Sequence, residues 1–556
     1  MTSTVDWGQV SIPERLRKIL SEGESHPIEQ AISAYEGFGS FHSENVEDLI
    51  AQSQSEYRVP RNLPEFATRI LSKREIEALQ ETLTGPQQKL SGGKRSRSEE
   101  STENTEPCPF GATIRDTHFN IAKDMIFINH GAFGSALAGA VYIKQRYEMM
   151  MENEVVEFVD RHLLPLVVYS VRSLATFLHA SPSQVVLLQN ATFGLNSAMR
   201  IIESSDVVAF LDTEYLSVYK MMWFRCKEVG ASLHEIKILS YIHDESVMGD
   251  DEALSAEICR QLPQGCTTIV VDHVTSTTAF CLPVFTHLIP MLRARGVHKI
   301  IVDGAHAPLQ LDLNFDALPE NSQPTVFVGN LHKWLSLPKS SGFMWVHSEW
   351  MEKVHTVVLS HGAGEGLLSE FIWDGTRDYG SYLAIPAALQ FWESFHYDTI
   401  RTYCTTLLAA AVEMLTKAFK SRTVARRAPF MSLVEIPEGL QDNVMTAKCI
   451  QDVLHDVYNI EVPIKRVEGR FYIRISAFVY NVPEEYAFLR EAVLAIADKW
   501  SKSPMREKLL KEEAARQASS DGKDLPCDER IRRQGGCGVS GLDPSTKPKK
   551  TTKFGK

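Results

Sequence analysis

Short apolar runs alternate with amphipathic stretches through the middle of the chain. Val185–Leu188, Val207–Phe210, Thr268–Val271, Lys299–Val302 and Thr325–Val328 are rich in β-branched residues and bounded by turn formers. Runs this apolar suit strands covered on both faces. Their alternation with helical stretches predicts a mostly parallel sheet with crossover helices, an α/β class. Past about residue 400 the texture changes. A helix over Tyr403–Phe419, a strand over Ser432–Ile436, a helix over Val444–Val457, a strand over Arg470–Ser476 and a last helix over Glu484–Trp500 predict a smaller C-terminal α+β domain.

The flanks read differently. Residues 1–85 are mainly amphipathic and helical, as in Ser72–Leu83, which stops at Gly85-Pro86. Residues 86–109 form a linker whose stretch Ser91–Glu106 has no apolar residue and nothing to pack with. The division expected is therefore a helical extension (1–85), a disordered polar linker (86–109), a large domain (110–400), a small domain (401–502) and a polar, disordered tail (503–556).

Composition narrows the class. A chain of 556 residues, 44% hydrophobic, can bury a large core. Its net charge of −12 disfavours nucleic acid as the main partner, because phosphate binding needs a concentrated basic face. No apolar run is long enough to cross a bilayer, and the first residues carry no secretory signal. The nine cysteines include no C-x-x-C pair and read as reduced thiols rather than a disulfide framework or a metal site. The expectation is a soluble cytoplasmic protein with no nucleic-acid or membrane partner and no metal.

Three segments carry candidate chemistry. Asp303, in Val302-Asp-Gly-Ala-His306, follows an apolar run and falls at the carboxyl edge of a sheet, where open α/β sheets bind ligands. Such an acid either caps a turn or pairs with a cationic group on a cofactor. Lys333, in Gly329-Asn-Leu-His-Lys333, also follows an apolar run, and a lysine there is either a solvated loop residue or one that does covalent work. Gln189–Met199 follows a strand and opens a helix, so Thr192 is either an ordinary cap or part of an anion site at a helix N-terminus.

Together and in this order, the segments resemble the class V aminotransferase superfamily of pyridoxal 5'-phosphate (PLP) enzymes. Within it they are most similar to the branch of isopenicillin N epimerases and hercynylcysteine sulfoxide lyases. The resemblance spans about residues 120–500 and implies the PLP-transferase fold type I. It implies that Lys333 forms the Schiff base with PLP, with His332 and Asn330 near the phosphate. Asp303 matches the acid that pairs with the pyridine nitrogen, and His306 the neighbour of the ring's phenolic oxygen. Thr192 and the Ala191 amide match the phosphate-binding turn, Tyr215 the aromatic residue stacked on the ring, and Ser276 a residue near the phenolic oxygen and the substrate carboxylate. Thr376, in Asp374-Gly-Thr-Arg-Asp378, matches a residue lent to the partner subunit's phosphate, which implies a homodimer. Arg474 matches the arginine that grips the substrate α-carboxylate, a task its planar fork suits.

One departure shapes the expected reaction. Cysteine desulfurases carry a nucleophilic cysteine before the carboxylate-binding arginine, but Ile460–Arg470 contains none. Cys404 and Cys449, the thiols in the wider interval, fall in expected helices and read as buried core residues. The expectation is a lyase that splits a C–S bond of a cysteine-derived amino acid or conjugate by β-elimination. An epimerase or racemase, an aminotransferase and a catalytically silent scaffold remain open as alternatives. Residues 1–109 lie outside the resemblance and are expected to be dispensable for cofactor binding.

Overall fold

The computed structural model describes residues 45–60, 63–84, 109–442 and 444–519, and residue 14 alone. The linker 86–108 and the tail beyond Ser519 lie outside the described residues. Seven strands form the central sheet: β1 (Val185–Leu188), β2 (Val207–Leu211), β3 (Ser232–Ile236), β4 (Thr268–Asp272), β5 (Lys299–Asp303), β6 (Val326–Asn330) and β7 (Gly342–Val346). Their order is β1-β7-β6-β5-β4-β2-β3. All are parallel except β7, which runs antiparallel to both β1 and β6. The five expected apolar runs are strands, and β1, β4, β5 and β6 are buried at every position. Helices cover both faces, as a parallel sheet requires.

The smaller unit is built on β8 (Met431–Glu435), β9 (Ile464–Val467) and β10 (Arg470–Ser476), antiparallel in the order β9-β10-β8. Helices Tyr397–Phe419, Ala447–Tyr458 and Pro483–Ser501 pack with it into a second core. That core also takes Ile128 from the start of the large unit, and Ile126-Phe127 pairs in parallel with Ile460-Glu461. The polar tail begins with a helix, Pro504–Ser519, and Arg506 of that helix reaches Asp442 at 2.8 Å.

The described part of the extension packs against the large unit. Val46, Leu49, Ile50, Ala67 and Ile70 belong to the same hydrophobic core as the central sheet. Helix Val46–Ala51 lies against helix Leu163–Phe177, where the buried Arg172 donates to the carbonyl oxygens of Ile50 (3.0 Å) and Gln52 (2.9 Å). The same guanidinium lies over the Tyr57 ring, 4.2 Å from its centroid. Those carbonyls are the ones a helix end leaves without partners, and a buried cation satisfies them. Glu47 accepts from the Ser369 N–H at 2.8 Å, and Lys73 donates to the Phe119 carbonyl at 2.9 Å. Gly139 permits this docking, since a Cβ there would sit 2.6 Å from the Leu71 carbonyl oxygen. Ser72 and Glu75 cap helix Lys73–Thr84 reciprocally, the Ser72 N–H donating to Glu75 at 2.7 Å. No helix among the described residues is long and apolar enough to cross a membrane.

Candidate active site

Three neighbouring parallel strands end in polar residues: Asp272 on β4, Asp303 on β5 and Asn330 on β6. Each follows a buried apolar run, so each side chain emerges at the carboxyl edge of the sheet. Three residues past Asn330 the chain reaches Lys333, whose Nζ lies 2.9 Å from His306 Nε2. Burial lowers the Lys333 ammonium to about 8; Arg474 adds to the shift, while Asp303 and Asp272 oppose it. Burial, with Lys333 and Arg474 adding to it, holds His306 well below the usual histidine range, so the imidazole is neutral. His306 Nδ1 is buried and has no partner.

The backbone around Lys333 is packed from beneath. His130 Nε2 lies 2.9 Å from the Lys333 carbonyl oxygen, and its Nδ1 lies 2.7 Å from the Tyr480 hydroxyl. Gly134, at φ +68°, runs beside the same segment, where a Cβ would come 2.2 Å from the His332 carbonyl oxygen. His332 Nδ1 lies 3.0 Å from the Ser341 carbonyl.

The helix Ala191–Ala198 starts directly after β1. Asn190 caps it by accepting from the Phe193 N–H at 3.0 Å, and Asn330 Oδ1 accepts from the Ala191 N–H at 2.9 Å. The Ala191 amide is thus engaged by Asn330, while Thr192 stands exposed beside it. Gln189 donates to Asp374 at 3.0 Å, so the Asp374–Asp378 segment sits next to the turn of its own chain, with Thr376 exposed.

Arg474, on β10, bridges the two units. It is buried and donates to the Ser276 carbonyl and, at 3.2 Å, to Asn129 Oδ1. No carboxylate among the described residues pairs with it, and burial lowers its guanidinium to about 10. Tyr215, 48% exposed, stands directly before helix Leu216–Val229, within electrostatic reach of Arg474. A buried fork without an acidic partner is suited to a carboxylate arriving from solution.

Sequence reasoning missed Glu214, Asp272, Asn129 and His130. Asp272 carries the same signal as Asp303, an acid ending an apolar run; Glu214 has no local mark beyond adjacency to Tyr215. Cys449 corrects an expectation: it is exposed on helix Ala447–Tyr458, whereas Cys404 is fully buried.

An amine, a buried acid and a guanidinium without an acidic partner among the described residues thus come from both units within electrostatic reach of one another. No protein-family model matches the chain. The crystal structure of a cysteine desulfurase from Thermococcus onnurineus NA1 superposes with a TM-score of 0.56 at 16% identity, covering 71% of this chain and 99% of that one. The cystine C–S lyase C-DES, solved with cysteine persulfide, matches with a TM-score of 0.54 at 16% identity over 68% of this chain and 98% of its own. A mutant of C-DES carrying glycine covalently linked to its PLP cofactor matches with the same TM-score. The fold is the type I PLP fold.

Relatives by sequence cover about two thirds of this chain. An L-cysteine desulfhydrase of Arabidopsis thaliana is 25% identical, over 66% of this chain and 86% of its own. The hercynylcysteine sulfoxide lyase of Schizosaccharomyces pombe is 22% identical over 68% and 95%. An isopenicillin N epimerase of Amycolatopsis lactamdurans is 27% identical over 66% and 94%.

Proposed function

We propose that the protein is a PLP-dependent lyase that cleaves a C–S bond by β-elimination from a cysteine-derived amino acid or conjugate. The observation that carries this reading is Lys333, a half-buried amine lowered to about 8 and set 2.9 Å from a neutral imidazole. The site fits PLP on its own chemistry: an amine that is nucleophilic near neutral pH, a buried acid cluster, and a buried His306 Nδ1 with no partner among the described residues. When bound, PLP supplies an aldehyde that condenses with amines and a ring that delocalises negative charge from Cα.

The chain's own residues divide the remaining work. Lys333 holds the cofactor and then takes the Cα proton as general base. Asp303 keeps the ring nitrogen protonated, and His306 orients Lys333 and faces the phenolic oxygen. Ala191, Thr192, Asn330 and His332 would hold the phosphate, Tyr215 would cover the ring and Ser276 would border the substrate. Arg474 binds the α-carboxylate and so fixes which Cα bond faces Lys333. The electron pair released at Cα forms a double bond to Cβ as the thiol, sulfenate or sulfide leaves, and water then gives pyruvate and ammonia. With no thiol in Ile460–Arg470, sulfur departs into solution rather than as an enzyme persulfide.

The relatives named isopenicillin N epimerase favour a second reading, reprotonation at Cα. Incubation with cysteine conjugates in deuterium oxide separates the two. Pyruvate and ammonia support the lyase, and intact substrate labelled at Cα overturns it. The active form on this reading is a cytoplasmic homodimer in which Thr376 reaches the partner's phosphate. Mixing Lys333→Ala subunits with Thr376→Ala subunits should then restore part of the activity.

A further inference from the structure

Glu214, in the turn after β2, and the strand-end acids Asp272 and Asp303 come from three separate parts of the chain. Yet their carboxylate oxygens lie within 4.8 Å of one another. All three side chains are at least nine-tenths buried. Asp272 and Asp303 are paired positions on adjacent parallel strands, so both leave the sheet on one face. Asp303 accepts from the Ala305 N–H at 2.8 Å and Glu214 Oε1 from the Tyr215 N–H at 3.1 Å. Among the described residues, Glu214 Oε2 and Asp272 Oδ2 are buried without a hydrogen-bond partner.

An ionised carboxylate oxygen left without a donor in a buried site costs several kcal/mol, on the order of the penalty for an unpaired buried ion. Neighbouring carboxyls avoid this by sharing protons, since like charges this close do not all ionise. Apart from one another, the charged group acting on these acids is Lys333, a single cation at most. Burial first, and then their mutual repulsion, push Glu214 and Asp272 well above the usual carboxylate range.

We propose that Glu214 and Asp272 are held as neutral carboxylic acids, positioning residues whose O–H groups face Asp303 and leave it the single anion of the cluster. Asp303 is the group assigned above to the ring nitrogen, so the consequence for the cofactor rests on that assignment. The two neutral acids solvate the Asp303 carboxylate where water cannot reach. They fix its charge and its direction before the cofactor arrives, which neither residue could do as an anion.

Infrared spectroscopy of the full-length protein at neutral pH, with and without PLP, tests this directly. The expected result is two carbonyl-stretch bands of neutral carboxyl groups. One should be lost in Glu214→Gln and the other in Asp272→Asn, with the far-ultraviolet dichroism unchanged. The amides preserve a neutral donor, so both variants should bind PLP with Kd within about tenfold of the unaltered protein. Asp303→Asn, which removes the anion, should shift the absorption band of bound PLP. Absence of neutral-carboxyl bands in the unaltered protein overturns the proposal. So does a stoichiometric divalent cation found by metal analysis, because a metal would require ionised carboxylates. The bands are read in cofactor-free protein too, so a failure of PLP to bind would refute the cofactor assignment and leave the protonation result standing.

Discussion

Lys333 Nζ and His306 Nε2 lie 2.9 Å apart, two nitrogen bases side by side with no carboxylate between them. A neutral imidazole cannot hold an ammonium as a carboxylate would, and burial lowers the amine to about 8. An amine attacks an aldehyde only when unprotonated, so its reactive fraction accumulates through pH 8 rather than through the ordinary lysine value. The rate at which cofactor-free protein captures PLP should therefore rise with pH up to about 8 and flatten above it. Stopped-flow absorbance measures this, and borohydride reduction should leave the label on Lys333. A rate that climbs unchanged past pH 10 would mean the amine is not perturbed.

Removing Asp303 separates binding from chemistry. Asp303→Ala should retain bound PLP, held through Lys333 and the turn at Ala191. It should lose most turnover, because a ring nitrogen without its anionic partner is a poor acceptor of charge. Cofactor content by absorbance, compared with pyruvate release, reads the two effects apart.

Arg474 has a geometry that lysine cannot copy. Its buried fork spans Ser276 and Asn129, and Arg474→Lys keeps the charge but loses the planar pair of donors. The expected result is a rise in KM together with a fall in kcat, about a hundredfold in kcat/KM, because orientation is lost along with affinity.

The two helical thiols should behave differently from each other but alike in catalysis. Iodoacetamide should alkylate the exposed Cys449 in the native protein and spare the buried Cys404. Cys449→Ser should leave product release within about twofold, since no step passes sulfur to the enzyme. Abolition of activity by that change would indicate a persulfide mechanism.

Docking of the extension ties the stability of the large unit to residues 46–70. A chain beginning near Phe110 would uncover the surface now covered by Val46, Ile50 and Ile70, and should be insoluble or lose cooperative unfolding. Arg172→Ala is the gentler probe. It strips the carbonyls of Ile50 and Gln52 of their donor and should cost about 3 kcal/mol in urea unfolding.

What the sequence revealed follows from locality. β4, β5 and β6 were legible because strands buried on both faces are written as unbroken apolar runs, and Asp303 and Lys333 stood out against them. β3 was not, because Ser232–Ile236 lies at the sheet edge, with His234 and Glu235 exposed and only Ile236 buried. Asp272 obeys the rule that marks Asp303, but Ser276 is the residue of that segment which the resemblance names. The docking of Ile50 on Arg172 was illegible for a different reason. No local pattern marks a contact whose halves lie 122 residues apart, and Arg172 sits inside an apolar helix where a charge looks out of place.

That separation also sets a timetable for synthesis. At roughly 5–20 residues per second, the ribosome needs about 6–24 s to make the chain between Ile50 and Arg172. Through that interval Val46, Leu49 and Ile50 have left the tunnel with their helix-docking surface still unmade. The segment around Ile50 is thus translated well before the helix it docks on, a window in which a nascent-chain chaperone has an apolar segment to hold.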